Sequence, residues 1–380
     1  MTKIDRVIGK SKHYKNLTLT ERLSELKIPG ISISIVENSN VSTFYYGIKN
    51  QNNEIITSGS LFQTGSLSKP IFAITTMRLV EKGIIDLDID IRDYIGDQLY
   101  TTFDSFEHKV TLRQILCHQA GFSFHGFPGY RKGDNIPTLL EIIKGTNNKG
   151  FINAGYTKPV KIIEINNDNL EKLATSMGMT LAGNTPLNLE KLPGSGFTYS
   201  SGGYILAQLI VERVVKKSFA EISYEELFNP LSMQTTTFEQ PLTNEDNRDF
   251  ASGFDGVSQV ENGYYVMPEL AAAGLWSNPA EYAKIGIEII KAFNNQTNFL
   301  KAQSINTMLS KTDGTVPMGL GVVITNNKKG VAFGHNGGTY GYSSSMCFNV
   351  NDGTGIVIMQ NSNTDFIREV MASFMDVFEW

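Results

Sequence analysis

Cysteine is scarce in this sequence: Cys117 and Cys347 are the only two among 380 residues. They stand far apart with no CxxC partner, so neither a disulfide framework nor a zinc knuckle is expected, and both read as buried free thiols. An excess of basic charge is also missing. The chain carries 33 Lys and Arg against 38 Asp and Glu, a net charge of −5. Without a basic patch, neither a nucleic-acid partner nor an anionic membrane surface is expected. No apolar run approaches the roughly 20 residues of a membrane span. Met1 to Lys27 lacks the apolar core of a secretory signal. As written, the chain is expected to be soluble and cytoplasmic, or exported if a leader has been removed.

Several chemical signatures are absent too. There is no G-x-S-x-G elbow, no H-E-x-x-H and no paired-cysteine motif. Cys117-His118 with His125 reads as a helix end packed near a cleft rather than as a ligand set. No Walker loop occurs, and no G-x-G-x-x-G follows a strand, so no nucleotide, metal or other cofactor is expected. No low-complexity linker divides the chain, although its length exceeds one ordinary core. One compact catalytic unit with two sub-domains is the expectation.

What is present alternates between two periods. Leu19 to Leu26 is helical in spacing and stops at Pro29-Gly30. Strand-like runs follow at Ile31–Val36 and Val41–Gly47, around the turn signal Glu37-Asn38-Ser39-Asn40. The other end of the chain reads the same way, with strands at Met318–Thr325, Val331–His335, Tyr342–Val350 and Gly355–Gln360 and a closing amphipathic helix at Phe366–Phe378. Between them the helical period dominates, at Pro70–Lys82, Leu112–His118, Thr138–Lys144, Tyr204–Lys216 and Pro279–Phe293. The pattern predicts an α+β fold in which an antiparallel sheet of N- and C-terminal strands is flanked by helices and an all-helical sub-domain is inserted. Residues 1–65 and 300–380 would form the sheet part and residues 66–299 the mainly helical part, with the site in the groove between them.

Three short stretches carry chemistry. In Gly65-Ser66-Leu67-Ser68-Lys69-Pro70, proline is harmless only in a first helical turn, which places Ser66 at or just before a helix start. Spacing of three sets Ser66 and Lys69 on one face, and a helix N-terminus favours the negative charge that develops on an attacking alkoxide and on an oxyanion. A lysine in a partly dry groove can lose its proton and act as base toward the serine. Ser24-Glu25-Leu26-Lys27 repeats the spacing, but on an amphipathic helix where Lys27 faces water, and is set aside. Tyr199-Ser200-Ser201-Gly202-Gly203 offers a phenol on a Gly-flanked loop. It reads either as a proton relay beside the lysine or as a ring packed on the neighbouring helix. Gly334-His335-Asn336-Gly337-Gly338 lies on the edge of a predicted strand, where glycines signal close approach by a backbone or a ligand. The Gly338 and Ser66 N–H groups could together hold a carbonyl oxygen.

Taken in order, Ser66-x-x-Lys69, Tyr199-x-Ser201 and His335-x-Gly337 resemble the three-motif signature of the serine β-lactamase and penicillin-binding protein superfamily, in its class C-like branch. Supporting resemblance lies in Leu61-Phe62-Gln63, Gly83 to Asp88, Thr111 to Gly121 and Ala271 to Ser277, and it spans roughly Ile28 to Asn363. The resemblance implies a sheet domain and a helical domain with the site between them. It further implies acylation of Ser66, proton shuttling by Lys69 and Tyr199, and substrate contacts from Ser201, His335, Gly337 and Gly338. Two departures bear on the substrate. Ser201 stands where the family usually has Asn, and His335 stands where it usually has Lys, a cation for the substrate carboxylate. A histidine near its unperturbed pKa of about 6.5 is mostly neutral at pH 7, and loss of a charge-assisted hydrogen bond costs on the order of 1.5–3 kcal/mol. Weak carboxylate selectivity and poor β-lactam turnover follow. Lys311-Thr312-Asp313-Gly314 mimics the missing motif with one residue too many and is discounted.

The leading expectation is a serine hydrolase working through an acyl-enzyme on an ester or a D-amino-acid amide or peptide, with a small-molecule or peptide substrate. A penicillin-binding D-alanyl-D-alanine carboxypeptidase or weak β-lactamase is the alternative within enzymes. A catalytically idle relative that binds peptidoglycan or a partner protein is the alternative outside them. Oligomeric state is left open.

Overall fold

Thr18 starts the first helix by a reciprocal capping pair: its hydroxyl accepts from Glu21 N–H at 3.2 Å, and the Glu21 carboxylate accepts from Thr18 N–H at 2.7 Å. A computed structural model describes residues 17–96, 108–123, 129–146, 151–153, 160–161, 180–182, 186–312 and 316–380. Helix α1, Leu19–Glu25, ends at Lys27 in the left-handed region, and the chain then enters a hairpin of β1, Gly30–Glu37, and β2, Asn40–Gly47.

The C-terminal third supplies β3, Val323–Asn327, β4, Gly330–Thr339, β5, Tyr342–Asn349, and β6, Thr354–Gln360. All six strands form one antiparallel sheet in the order β3-β4-β5-β6-β1-β2. The two ends of the chain therefore share a sheet, as their alternating or β-rich patterns predict. In the β1–β6 register Ile33 faces Ile358 and Ile35 faces Ile356. Ile31, Ile33 and Ile35 point to one face, where α1 and the closing helix α7, Phe366–Phe378, cover them with Leu19, Leu23, Val370 and Phe374. Arg22 clamps the two helices together through both carboxylate oxygens of Glu369, at 3.0 and 3.1 Å.

The other sheet face packs on helix α6, Pro279–Phe293. Gly286 permits the contact, since a Cβ there would lie 2.2 Å from the Phe348 ring. Beyond α6 come α2, Ser68–Glu81, α3, Leu112–Leu116, α4, Ser201–Val215, and the four-residue α5, Leu270–Ala273. Their apolar faces run into the larger core, which includes Phe72, Tyr204 and Trp276. Among the described residues no helix is long and apolar enough to cross a membrane.

The structure differs from the sequence reading in four places. The insertion is not purely helical: it holds small ladders at Phe254–Asp255 with Ser258–Gln259 and among Phe151–Asn153, Val160–Lys161 and Thr180–Ala182, and its Trp276–Ser277 pairs with Phe62–Gln63 from the preceding segment. These are too short to show a period. The first strand of the C-terminal set begins at Val323 rather than Met318, because Gly319 to Val322 forms a turn in which Gly321 (φ 75°) presses on the Lys69 backbone. The glycines after His335 are not a strand end: β4 continues to Thr339, carried through Gly337 and Gly338 by pairing with Ser344 and Ser343 of β5. Tertiary pairing here overrides the weak strand propensity of glycine. Finally, α4 begins at Ser201, so the Ser-Gly-Gly stretch after Tyr199 is a first helical turn, with Ser200 as its N-cap.

Candidate active site

Ser66 lies in a 3₁₀ turn, Gly65–Leu67, that leads into α2. Three tethers fix the turn: Ser68 Oγ donates to Gly65 O at 2.7 Å, Tyr282 OH donates to Leu67 O at 2.9 Å, and Ser344 Oγ donates to Thr64 O at 2.6 Å. Two glycines allow β4 to seat directly against it. A Cβ on Gly65 (φ 54°) would lie 2.6 Å from Gly338 N, and one on Gly337 would lie 2.0 Å from Thr64 O. Only residues without a side chain permit this approach. Ser66 and Gly338 thereby line the same cleft.

Lys69, in the first turn of α2, is completely buried. Its Nζ donates to Ser66 Oγ at 3.0 Å, to Ser201 Oγ at 3.2 Å and to Ala272 O at 2.8 Å. The last acceptor is available because the short helix α5 leaves its final carbonyls without intrahelical partners. These acceptors are two hydroxyls and a carbonyl, with no carboxylate among them. Burial without a counterion pushes the Lys69 pKa down to about 7.

Tyr199 directly precedes the N-cap of α4, and its OH donates to Ser66 Oγ at 2.9 Å. Burial pushes the phenol up to about 12, against the opposing effect of hydrogen bonds with Ser66 and Ser201. At neutral pH the site thus holds a phenol that keeps its proton and an amine that can release one. The Tyr199 oxygen meets the serine, while its ring lies tilted by 34° against that of His118, centroids 4.3 Å apart. His118, at the end of α3, also holds the neighbouring backbone, its Nδ1 accepting from Ser200 N–H at 3.1 Å and its carbonyl from Thr198 N–H at 2.7 Å. Because Nδ1 accepts, the ring proton sits on Nε2, and burial with the nearby Lys69 holds the ring neutral. His125 lies outside the described residues.

His335 projects from the middle of β4 into the cleft, its ring 6.5 Å from that of Tyr199. Its Nδ1 is 2.7 Å from Asn336 O. A carbonyl only accepts, so the neutral ring carries its proton on Nδ1 and leaves Nε2 as an acceptor. Burial and the charge of Lys69 push the His335 pKa down to about 4. Ser24 and Lys27, the repeated spacing, are exposed at the end of α1 and touch none of these groups. Thr312 is tied to Met318 O, and Asp313 and Gly314 lie outside the described residues.

The structure therefore brings Ser66, Lys69, Tyr199 and Ser201 into one hydrogen-bonded group, and sets His335, Gly337 and Gly338 along the wall of a cleft of about 750 Å3. Sequence reasoning missed Ala272, whose contribution is a main-chain carbonyl and leaves no side-chain signal. It also missed Met371 and Met375 of α7, which line the same cleft and read in sequence as ordinary helix residues.

The family model described as Beta-lactamase matches residues 16–376. Among curated proteins, Protein flp of Staphylococcus aureus strain MW2 is 24% identical over 379 residues, covering 96% of this chain and 66% of its own length. The chain thus spans just under two thirds of the length of that relative. Among solved structures, a class C beta-lactamase superposes with a TM-score of 0.69 at 16% identity, covering 99% of this chain and 96% of that one. D-amino acid amidase from Ochrobactrum anthropi SV3 superposes with a TM-score of 0.68 at 17% identity, covering 100% and 99%. These likenesses establish the β-lactamase/transpeptidase-like fold.

Proposed function

The chain belongs to the beta-lactamase family, and we propose that it is a serine hydrolase which acts through an acyl-enzyme on an ester or a D-amino-acid amide. The observation that carries the reading is the hydroxyl of Ser66 held between Lys69 Nζ at 3.0 Å and Tyr199 OH at 2.9 Å, with the lysine dry and free of any carboxylate partner.

In the proposed cycle neutral Lys69 takes the proton of Ser66 as Oγ bonds to the substrate carbonyl carbon, and the carbonyl π-electrons move to oxygen. The Ser66 and Gly338 N–H groups serve as donors to that oxyanion, which is where preorganised dipoles act most strongly. The oxyanion collapses and breaks the bond to the leaving oxygen or nitrogen, which takes the proton of Tyr199. Lys69 then returns a proton to the phenolate through Ser201, whose hydroxyl is bonded to both groups. Water repeats the sequence on the acyl-enzyme, releasing the acid and restoring the Ser66 hydroxyl.

Substrate class follows from charge. No Asp, Glu, Lys or Arg lines the cleft among the described residues, and His335 is neutral at pH 7. A carboxylate-bearing substrate such as a penicillin or a D-alanyl peptide would meet no cation among these lining residues, the described cation beside them being Arg368 in the adjoining cavity that shares Gly337, Gly338, Met371 and Met375. This favours uncharged esters and amides over the penicillin-binding reading, and the intact Ser66, Lys69 and Tyr199 group favours either over an idle binding protein.

Intact-protein mass spectrometry after incubation with a fluorophosphonate and, separately, with benzylpenicillin tests the reading. A phosphonate adduct on Ser66, absent from Ser66→Ala, without a penicilloyl adduct is the expected result. Adducts with both reagents would favour a penicillin-binding enzyme, and adducts with neither would remove the catalytic reading.

A further inference from the structure

Helix α3 ends in a turn that is more strained than a simple stop requires. Gln119 N–H donates to Gln114 O at 2.7 Å and His118 N–H donates to Ile115 O at 3.0 Å, the paired bonds of a Schellman stop. The left-handed residue of that motif is usually glycine, yet here it is His118, with φ 58°. A β-carbon strains such a backbone, and strain of this kind persists where the surrounding structure maintains it for a function.

What the histidine adds is directed at Tyr199. Its carbonyl accepts from Thr198 N–H, as that of any residue could. The ring makes two contacts that glycine cannot: Nδ1 accepts from Ser200 N–H, so the chain is gripped on both sides of Tyr199, and the imidazole lies against the Tyr199 ring. The imidazole is itself fixed between Phe197 and Tyr204, with centroids 5.9 and 5.2 Å away. Tyr204 is tied back to α3, its OH donating to Leu116 O at 2.8 Å. His118 is buried and does not line the cleft, so its effect on the reaction passes through the chain it holds. The phenol oxygen sits at the far end of the Tyr199 ring, where a small change in backbone direction or ring tilt moves it out of hydrogen-bond range of Ser66. A misplacement of that size weakens catalysis severely.

We propose that His118 is a positioning residue for the acid step, holding the Tyr199 phenol on Ser66 through the bond from Ser200 N–H and the support of its ring. This rests on the hydrolase reading and deepens it, by assigning a role to a residue that touches no reacting atom.

Two acetates separate positioning from a general structural role. Ethyl acetate releases an alkoxide that needs a proton, whereas 4-nitrophenyl acetate releases a phenolate that does not. His118→Gly relieves the backbone strain and removes the ring. It should lower kcat/KM for ethyl acetate about 10- to 100-fold and for 4-nitrophenyl acetate by less than about threefold. Fluorophosphonate labelling of Ser66 should persist, since fluoride leaves without a proton. His118→Asn keeps an acceptor in the Nδ1 position and tolerates the left-handed backbone, so it should recover most of the ethyl acetate activity. In a Tyr199→Phe background His118→Gly should change ethyl acetate turnover by less than about threefold, because the group it positions is gone. Circular dichroism confirms that each variant is folded, and His118→Leu, which keeps buried volume without the acceptor, replaces His118→Gly if that variant unfolds.

Equal losses on the two esters, full ethyl acetate activity in the folded variant, lost phosphonate labelling, or an undiminished effect in the Tyr199→Phe background would each overturn the inference. Failure of the unsubstituted protein to turn over ethyl acetate would overturn it as well, and the phosphonate adduct on Ser66 then decides whether the hydrolase reading stands.

Discussion

Replacing Lys69 by methionine should abolish turnover and yet stabilise the fold, by an amount that depends on pH in a defined direction. The lysine is fully buried with a pKa pushed from 10.5 down to about 7. Between those values the unfolded chain binds a proton that the folded chain does not, so stability rises with pH across that window. The destabilisation is fully present below about pH 7 and is lost as pH rises toward the unfolded value. Its size is about 5 kcal/mol, because every tenfold loss of proton affinity is worth a little over 1 kcal/mol. Methionine removes that penalty and keeps much of the volume. It also leaves Ala272 O without its donor, which costs about 1–3 kcal/mol, while the Ser66 and Ser201 hydroxyls can rotate to other partners. A net gain of about 2–4 kcal/mol at pH 7 remains. Urea denaturation of both proteins at several pH values between 6 and 10 measures it, and subtracting one curve from the other cancels the other titrating groups. The advantage of Lys69→Met should shrink by roughly 1 kcal/mol per pH unit above pH 7. A difference that stays constant with pH, or a variant less stable throughout, would refute the claim that this lysine is strained by desolvation.

Activity should show the same group from the other side: with an uncharged ester, kcat/KM should fall about tenfold per pH unit below about pH 7, as Lys69 takes up its proton. A profile flat from pH 5 to 8 would argue for another base. Tyr199→Phe should lower amide hydrolysis by about 10²–10⁴-fold and p-nitrophenyl ester hydrolysis far less, since an activated phenolate leaves without a proton. Equal losses on both substrates would contradict the donor role. Away from the site, Gly286→Ala should destabilise by about 1–3 kcal/mol in thermal or chemical denaturation, because the added methyl meets a buried Phe348 ring already stacked on Phe333. An unchanged stability would show that the α6–sheet contact yields readily.

The likeness to D-amino acid amidase and to a class C beta-lactamase concerns backbone; selectivity depends on what lines the cleft. Here no charged residue lines the cleft itself among those described, burial holds His335 neutral, and Arg368 and Asp365 border the adjoining cavity.

Local chemistry and period alone determined a good deal. Alternation in Ile31–Val36 and the continuous β-rich run Gly355–Gln360, whose Ile356 and Ile358 enter one core and Val357 and Met359 the other, specified strands, and the two pair in a common sheet. Pro70 and the three-residue spacing placed Ser66 and Lys69 on one turn, because helix geometry is local. Tertiary structure alone decided the rest. Glycine has low strand propensity, so only pairing with β5 could show that β4 runs on through Gly338, past the turn that bears Ser66. The Ala272 carbonyl, the ring of His118 under Tyr199 and the methionines of α7 enter the site from distant parts of the chain. Their roles depend on proximity and desolvation, and both are properties of the packed molecule that no local run of residues encodes.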